Sequence, residues 1–425
     1  MKRLLSFLMV SVLIALNLLS LAACSNSSST SDREQNGNNT PAGVDLSDKE
    51  KVVNVYNWGE YIAPGDDGGM DVLAEFEKTT GIKVNYTTFE TNEELYNVLK
   101  NSNSSYDVII PSDYMIARLQ REGMLEKLDF NNIPNYKNID ERFRTGTYDE
   151  TGEYTVPYTW GFVALVYNTK MIDGDELSGF ADLWNPDYKN QVLMFNNSRD
   201  ALAIAMQVCD PPIDPGKDSF TAEDIERATD KLVELKECGS LKRYVMDQVF
   251  TEMEGSQAGL ATYYAGDIAT MLDNNEDLDY VIPEEGSNLF VDALCIPTCC
   301  KHKKNAEIFI DFMCDPEVAA ENANYIYYGT PNKAALELMD EEYTDFELVN
   351  PPAEYIDKCY AFTELDDKTY SLMQENFIKA CTGKASPGSI WTVIAILSLI
   401  VAGTLVVLIL NIRRGIKNRG RINKL

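Results

Sequence analysis

The chain has a single histidine, His302, among 425 residues, which leaves little of the acid–base chemistry that enzymes usually run through imidazole. The patterns GxSxG, HExxH, GxxxxGK and GxGxxG do not occur, so no nucleophile elbow, zinc-protease site or phosphate-cradling loop is encoded at its usual spacing. Repeats of fixed period are missing, which excludes a solenoid or propeller. The cysteine cluster "CIPTCC", Cys295 to Cys300, lacks the second cysteine pair or the histidines that a zinc site needs. A calcium-loop pattern, Asp273, Asn275, Asp277 and Glu284, has Leu278 where the sharp turn needs glycine. These absences predict a chain that is not an enzyme, with no catalytic residues, no metal and no cofactor. Paired carboxylates acting as a glycosidase are the enzymatic reading left open.

Positive charge is also scarce: 37 Lys and Arg face 67 Asp and Glu. Eight of the basic residues lie in the two acid-free ends, so the rest of the chain holds 29 basic against 67 acidic residues, about −38. Such a surface repels nucleic acid and attracts cations. The N-terminal end has Lys2 and Arg3, an apolar run from Leu4 to Leu21, then Leu-Ala-Ala-Cys24. This is the order of a signal peptide, and it looks like a bacterial lipobox whose Cys24 is lipidated. Residues 24–51, poor in apolar side chains, read as a flexible linker. Ile390 to Leu410 is free of charge and about 31 Å long as a helix, enough to span a bilayer. The basic tail 411–425 that follows marks the cytoplasmic side. The expected location is the extracytoplasmic face of the cell membrane, anchored by lipid and by helix. Eight further cysteines lie outside the lipobox, and spacing alone does not pair them.

Between these ends, strand and helix alternate. "VVNVYN" reads as a strand; "MDVLAEFEKTTG" puts Val72, Leu73 and Phe76 on one helical face and stops at Gly81. "IKVNYTTF" alternates as a strand, and "TNEELYNVLK" opens with Thr91 and Glu94 at capping-box spacing. "YDVIIP" has the continuous apolar character of a strand buried on both faces. A second series runs through "FVALVYN", "QVLMFNN", "AEDIERATDKLVELKEC" and "AGLATYY". About 340 residues in such units predict two α/β lobes. Function in these folds sits beyond the carboxyl ends of strands. There the chain places Trp58, Glu60, Tyr61, Ser112, Tyr114, Asn197, Asp200, Tyr264, Asp267 and Asp292, with Phe290 and Tyr328 as further rings. Ring faces hold cations and cover methylenes, while carboxylates pair with ammonium groups that lose water. A ligand with amines at its ends and methylenes between them meets both demands.

At these residues the chain resembles the spermidine/putrescine-binding proteins of bacterial ABC importers, a branch of the type II periplasmic binding proteins. The segments that carry the likeness include "YNWGEYIAPG", "YDVIIPSDYMIARLQREGMLEKLD", "LWNPDYKNQVLMFNNSRDALAIA", "YYAGDIA", "FVDALCIP" and "YYGTPNKAA". The resemblance implies a two-lobed fold closing on a ligand, with lobe 1 at 52–164 and 292–337 and lobe 2 at 165–291 and 338–384. It implies that Trp58, Tyr264, Phe290 and Tyr328 stack on the polyamine and that Glu60, Asp200, Asp267 and Asp292 meet its ammonium groups. Tyr61, Ser112 and Tyr114 would add hydrogen bonds. It further implies delivery to a membrane permease driven by a cytoplasmic ATPase. Three departures stand out: Asn197 replaces an aspartate, Tyr264 and Phe290 replace tryptophans, and the C-terminal membrane helix is not usual. Asp267 resembles the putrescine-binding pattern, so the choice between putrescine and spermidine stays open. A membrane-tethered ligand sensor or scaffold on the same fold is the alternative.

Overall fold

β1 (Val52–Trp58) forms where the sequence alternates: Val53 and Val55 are fully buried on one face, while Tyr56 joins a separate cluster on the other. In the computed structural model, residues 47–382 are described, apart from 66–67, 102–103 and 340. Cys24, the apolar N-terminal run, Ile390 to Leu410 and the basic tail lie outside the described residues. Among the described residues no helix is long and apolar enough to cross a membrane.

After β1 come α1 (Val72–Thr80), β2 (Lys83–Phe89), α2 (Asn92–Lys100), β3 (Val108–Ile109) and α3 (Asp113–Arg121). Their boundaries follow local chemistry. α1 ends on Gly81, whose left-handed backbone (φ 69°) returns its N–H to Glu77. Thr91 caps α2 by accepting from the Glu94 N–H at 3.1 Å, while the Glu94 carboxylate reaches back to the Glu90 N–H at 3.0 Å. Val108 and Ile110 pack on one face of the sheet and Ile109 on the other, as expected of a strand covered on both sides.

β4 (Thr155–Asn168) is the longest strand and links the two halves of a nine-stranded sheet. It is followed by β5 (Val192–Phe195), α4 (Ser198–Gln207), α5 (Ala222–Glu237), β6 (Leu241–Val245), α6 (Gln248–Glu254), β7 (Leu260–Tyr264), α7 (Ala265–Asn274) and β8 (Leu278–Val281). Then come β9 (Leu289–Cys295), α8 (Lys303–Met313), α9 (Pro316–Ile326) and, after three one-turn helices, α10 (Asp367–Thr382). Residues 155–162 of β4 pair with β9, and residues 163–168 pair with β7 and β8. The strand order is β2-β1-β3-β9-β4-β7-β5-β6. The cores divide accordingly: one contains Val53, Phe76, Val108 and Phe309, the other Phe162, Phe195, Leu232 and Phe377. α10 packs on α4 and α5, so the end of the described chain belongs to the second core.

One expectation from the sequence is corrected by the structure. Residues 47–51, assigned to the flexible linker, are docked. The Asp48 carboxylate accepts from the Lys304 and Asn305 N–H groups at 3.0 and 3.1 Å, and Asn305 donates to the Glu50 and Val52 carbonyls at 2.7 Å. His302, at the cap position of α8, makes no side-chain cap bond, so Asp48 satisfies the open helix end from outside. The Asp273–Glu284 segment is the end of α7, a turn and β8, so it does not have the shape of a calcium loop. Among the described residues no cluster of three or more acidic, cysteine or histidine side chains could hold a metal. The eight described cysteines are free thiols.

Candidate functional site

Strands from both cores end at one cleft enclosing about 590 Å³ of space, part of it open to solvent. Trp58 ends β1 and leans on Phe89, ring centroids 4.4 Å apart at 53°; its indole N–H is buried without a partner. Tyr61, in the loop that follows, meets Tyr328 edge to face at 4.9 Å. Tyr328 meets Phe290 at 6.2 Å, and Phe290 meets Tyr264 at 5.5 Å. A continuous wall of rings thus runs from the β1 end of the cleft to the β7 end. Gly266 makes this wall possible: a Cβ there would lie 2.4 Å from the Tyr328 ring.

Against the rings stand carboxylates. Asp292, mid-way along β9 and 3% exposed, accepts from the Tyr61 hydroxyl at 2.6 Å through Oδ2. With its proton so committed, the phenol oxygen accepts from Thr159, also at 2.6 Å. Oδ1 of Asp292 is buried with no partner. Burial pushes the Asp292 carboxyl up to about 6, against the lowering by Tyr61 and Ser112. Asp200, in the first turn of α4, shows the same pattern: Tyr264 donates to Oδ2 at 3.0 Å, and Oδ1 is buried and unpartnered. Burial also raises Asp200, and it holds Asp267 well above the carboxylate range, helped by the nearby Asp247. Asp113 is raised to about 7 and Asp247 to about 6, in both cases chiefly by burial. The lining contains six carboxylates, those of Glu90, Asp113, Asp200, Asp247, Asp267 and Asp292, and no lysine or arginine. A buried cation nearby, Arg199 behind the Tyr114 and Phe362 rings, lowers Asp113 and Asp200 without outweighing burial, so ionising the lining acids together is costly until a further cation arrives.

This sequence and this fold have known relatives. The family model described as bacterial extracellular solute-binding protein matches residues 71–350. The chain is 31% identical over 330 residues to the spermidine/putrescine-binding periplasmic protein of Salmonella typhimurium, covering 77% of this chain and 91% of that one. It is 27% identical over 361 residues to the putrescine-binding periplasmic protein PotF of Escherichia coli, covering 80% and 94%. Among solved structures, one from Listeria monocytogenes superposes with a TM-score of 0.72 at 33% identity, covering 78% of this chain and 98% of that one. The spermidine/putrescine ABC transporter substrate-binding protein PotD of Streptococcus pneumoniae gives a TM-score of 0.64 at 32% identity, covering 78% and 98%. The chain belongs to the bacterial extracellular solute-binding proteins.

As in a two-lobed solute-binding protein, each lobe brings part of the cleft. Trp58, Tyr61, Ser112, Tyr114, Phe290, Asp292 and Tyr328 come with one core, and Asp200, Tyr264 and Asp267 with the other; all ten line the cleft. Ser112 is set by Asn92, which accepts from its N–H and donates to its hydroxyl, both at 3.1 Å. The Tyr114 hydroxyl donates to Glu93 at 3.2 Å, beside the lining.

Two expected residues are placed elsewhere. Glu60 is exposed, with a left-handed backbone (φ 47°), and does not line the cleft; its charge still raises Asp247 and Asp267 from the rim. Asn197 caps α4, accepting from the Asp200 N–H at 2.8 Å, and its amide nitrogen faces the Tyr264 hydroxyl at 3.5 Å. It stands behind the lining and sets it.

The sequence reading missed Glu90, Asn92, Asp113, Met246, Asp247, Tyr263, Asn288 and Phe362, which also line the cleft. The signal for Asp247 was its place two residues beyond β6, a strand whose Lys242 and Arg243 interrupt the apolar pattern. Gly59 makes room for it: a Cβ there would lie 2.8 Å from Asp247 Oδ2.

Proposed function

We propose that this solute-binding protein captures a linear polyamine, putrescine or spermidine, and hands it to a membrane permease driven by a cytoplasmic ATPase. The observation that carries the reading is the pair of buried, unpartnered carboxylate oxygens, Asp292 Oδ1 and Asp200 Oδ1, one from each lobe, beside a wall of rings. Each is an acceptor already stripped of water and lacking a donor, the state that an ammonium group completes. The rings cover the methylenes between the amines and attract cationic nitrogen through their faces. The names of the Salmonella and Streptococcus relatives support the same ligand class.

In this reading the chain crosses between lobes within β4 near 162/163, ahead of β9 near 288/289, and near 337/338, the first two slightly earlier than the expected 164/165 and 291/292. Closure is linked to the ligand because one molecule is gripped from both sides. Cys24 carries the lipid anchor, and Ile390 to Leu410 forms a second anchor, holding the binding lobes on the extracytoplasmic face with the basic tail inside. Calorimetric titration of the chain with putrescine and with spermidine tests the ligand; heat from neither defeats it. Mass spectrometry of the N-terminus tests the lipid, since an intact Met1 leaves Cys24 unmodified.

A further inference from the structure

Away from the ligand cleft, α3 of one lobe reaches across to the start of α10, which packs on the other. The Arg118 guanidinium lies between two rings, 4.0 Å from the centroid of Tyr96 in its own lobe and 4.1 Å from that of Tyr370 on α10. Its Nε donates to Glu122 at 3.1 Å, and Nη2 donates to the Tyr96 hydroxyl at 3.1 Å and to Asp367 at 3.5 Å. One turn on, Arg121 donates from Nε to Glu364 at 2.7 Å and from Nη2 to Asp367 at 3.1 Å. Both arginines therefore bond across the lobe boundary, and none of these residues lines the cleft.

We propose that Arg118 and Arg121 form a latch between the lobes that sets how tightly the cleft holds its ligand without touching it. The inference rests on the reading of a closing two-lobed receptor. Whatever stabilises the closed arrangement adds to apparent affinity, because binding then draws on a larger closed population. Arg118 is well suited to bridging the lobes, because its planar group offers a face to each ring while its edge bonds to carboxylates. Its Nη1, however, is buried without a partner. Opening the lobes hydrates that nitrogen and returns part of what closure gained, so the latch is reversible. Arg121 is more exposed and acts through charge, so its share falls as salt rises.

The test uses the full chain in detergent, with putrescine titration for affinity and amide hydrogen exchange of the ligand-free protein for the lobe contact. Arg121→Glu faces Glu364 and Asp367 with like charge. It should weaken putrescine about fivefold to tenfold and speed exchange in 112–121 and 363–374. Adding Glu364→Arg should restore both readouts, which a merely damaged fold would not do. Tyr370→Ala, which removes one ring from Arg118, should shift both in the same direction as Arg121→Glu. Unchanged exchange in Arg121→Glu and Tyr370→Ala overturns the latch. If the unaltered chain binds no putrescine, the ligand reading fails, and the exchange data still decide the latch.

Discussion

Asp107 and Asp292 are both buried aspartates, 0% and 3% exposed, next to or within strands of one sheet, and they are treated oppositely. Asp107 is saturated: it accepts from the N–H groups of Asn54, Lys301 and His302, from the Asn54 amide at 2.7 Å, and pairs with the His302 ring at 2.9 Å. Burial pushes its carboxyl up, but these donors outweigh burial and hold it below the usual range. Asp292 has one oxygen bonded and one orphaned, and burial wins. A carboxylate with every lone pair used is building the fold; one left short is waiting for a donor from outside.

The comparison breaks most visibly by mutation. Asp107→Ala strands three backbone N–H groups, that of His302 buried, together with the His302 ring, and should cost about 3 to 5 kcal/mol of stability in chemical denaturation. Its putrescine affinity, measured where the protein is still folded, should change little. Asp292→Asn should do the reverse. Binding is expected to weaken by about 2 to 5 kcal/mol if the carboxylate pairs with a buried ammonium. Ligand-free thermal stability should hold or rise, because a poorly solvated charge has gone. Equal affinity in the Asn variant would remove Asp292 from the site.

Acidity sharpens the contrast further. Asp292 and Asp247 are raised to about 6 and Asp113 to about 7, so the native state holds protons that the unfolded chain has released above about 3.9. Where the native state binds more protons, stability falls as pH rises. Ligand-free melting temperature should therefore rise as pH drops from 8 to 5. His302 adds in the same sense: desolvation lowers it, but Asp107 raises it more, and its contribution is lost above its folded pKa. The depressed Asp107 works against this only as pH falls through the acid range, below its unfolded value. Putrescine needs the cleft ionised, so its affinity should weaken over the interval in which ligand-free stability grows. Calorimetry at pH 7.5 and 5.5 checks it; parallel rather than opposed trends would contradict the charge-deficit account.

Much of this was legible in sequence because it is local. Thr91, Gly81 and the apolar faces of α1 and α2 fix their elements through neighbours within four residues. The strand ends flagged Trp58, Tyr61, Ser112 and Tyr264, since chain direction alone places loops over a cleft; Asp292, expected beyond a strand end, instead faces the cleft from the middle of β9. What stayed hidden depends on contacts distant in sequence. Asp247 joins the cleft because β6 pairs with β5, and "LKRYV" hardly looks like a strand until its partner is known. Asp48 holds α8 from 257 residues away in sequence. Glu60 stood next to residues that do line the site, but a left-handed turn carries it to the rim.

Asn197 offers the finest cut between support and contact. Its carbonyl oxygen is used on the Asp200 N–H, so its loss should fray the start of α4 and let Asp200 drift. Asn197→Ala should cost about 1 kcal/mol of stability, with a drop in affinity no larger than the displaced Asp200 explains. Asn197→Asp keeps an oxygen at the cap and brings a carboxylate within a turn of Asp200. If Asn197 only supports, the Asp variant restores the cap, and any gain in affinity should shrink with salt as a long-range charge effect does. A gain for spermidine that resists salt and is absent for putrescine would instead mean direct contact with an ammonium group. That result would return Asn197 from the wall behind the cleft to the cleft itself.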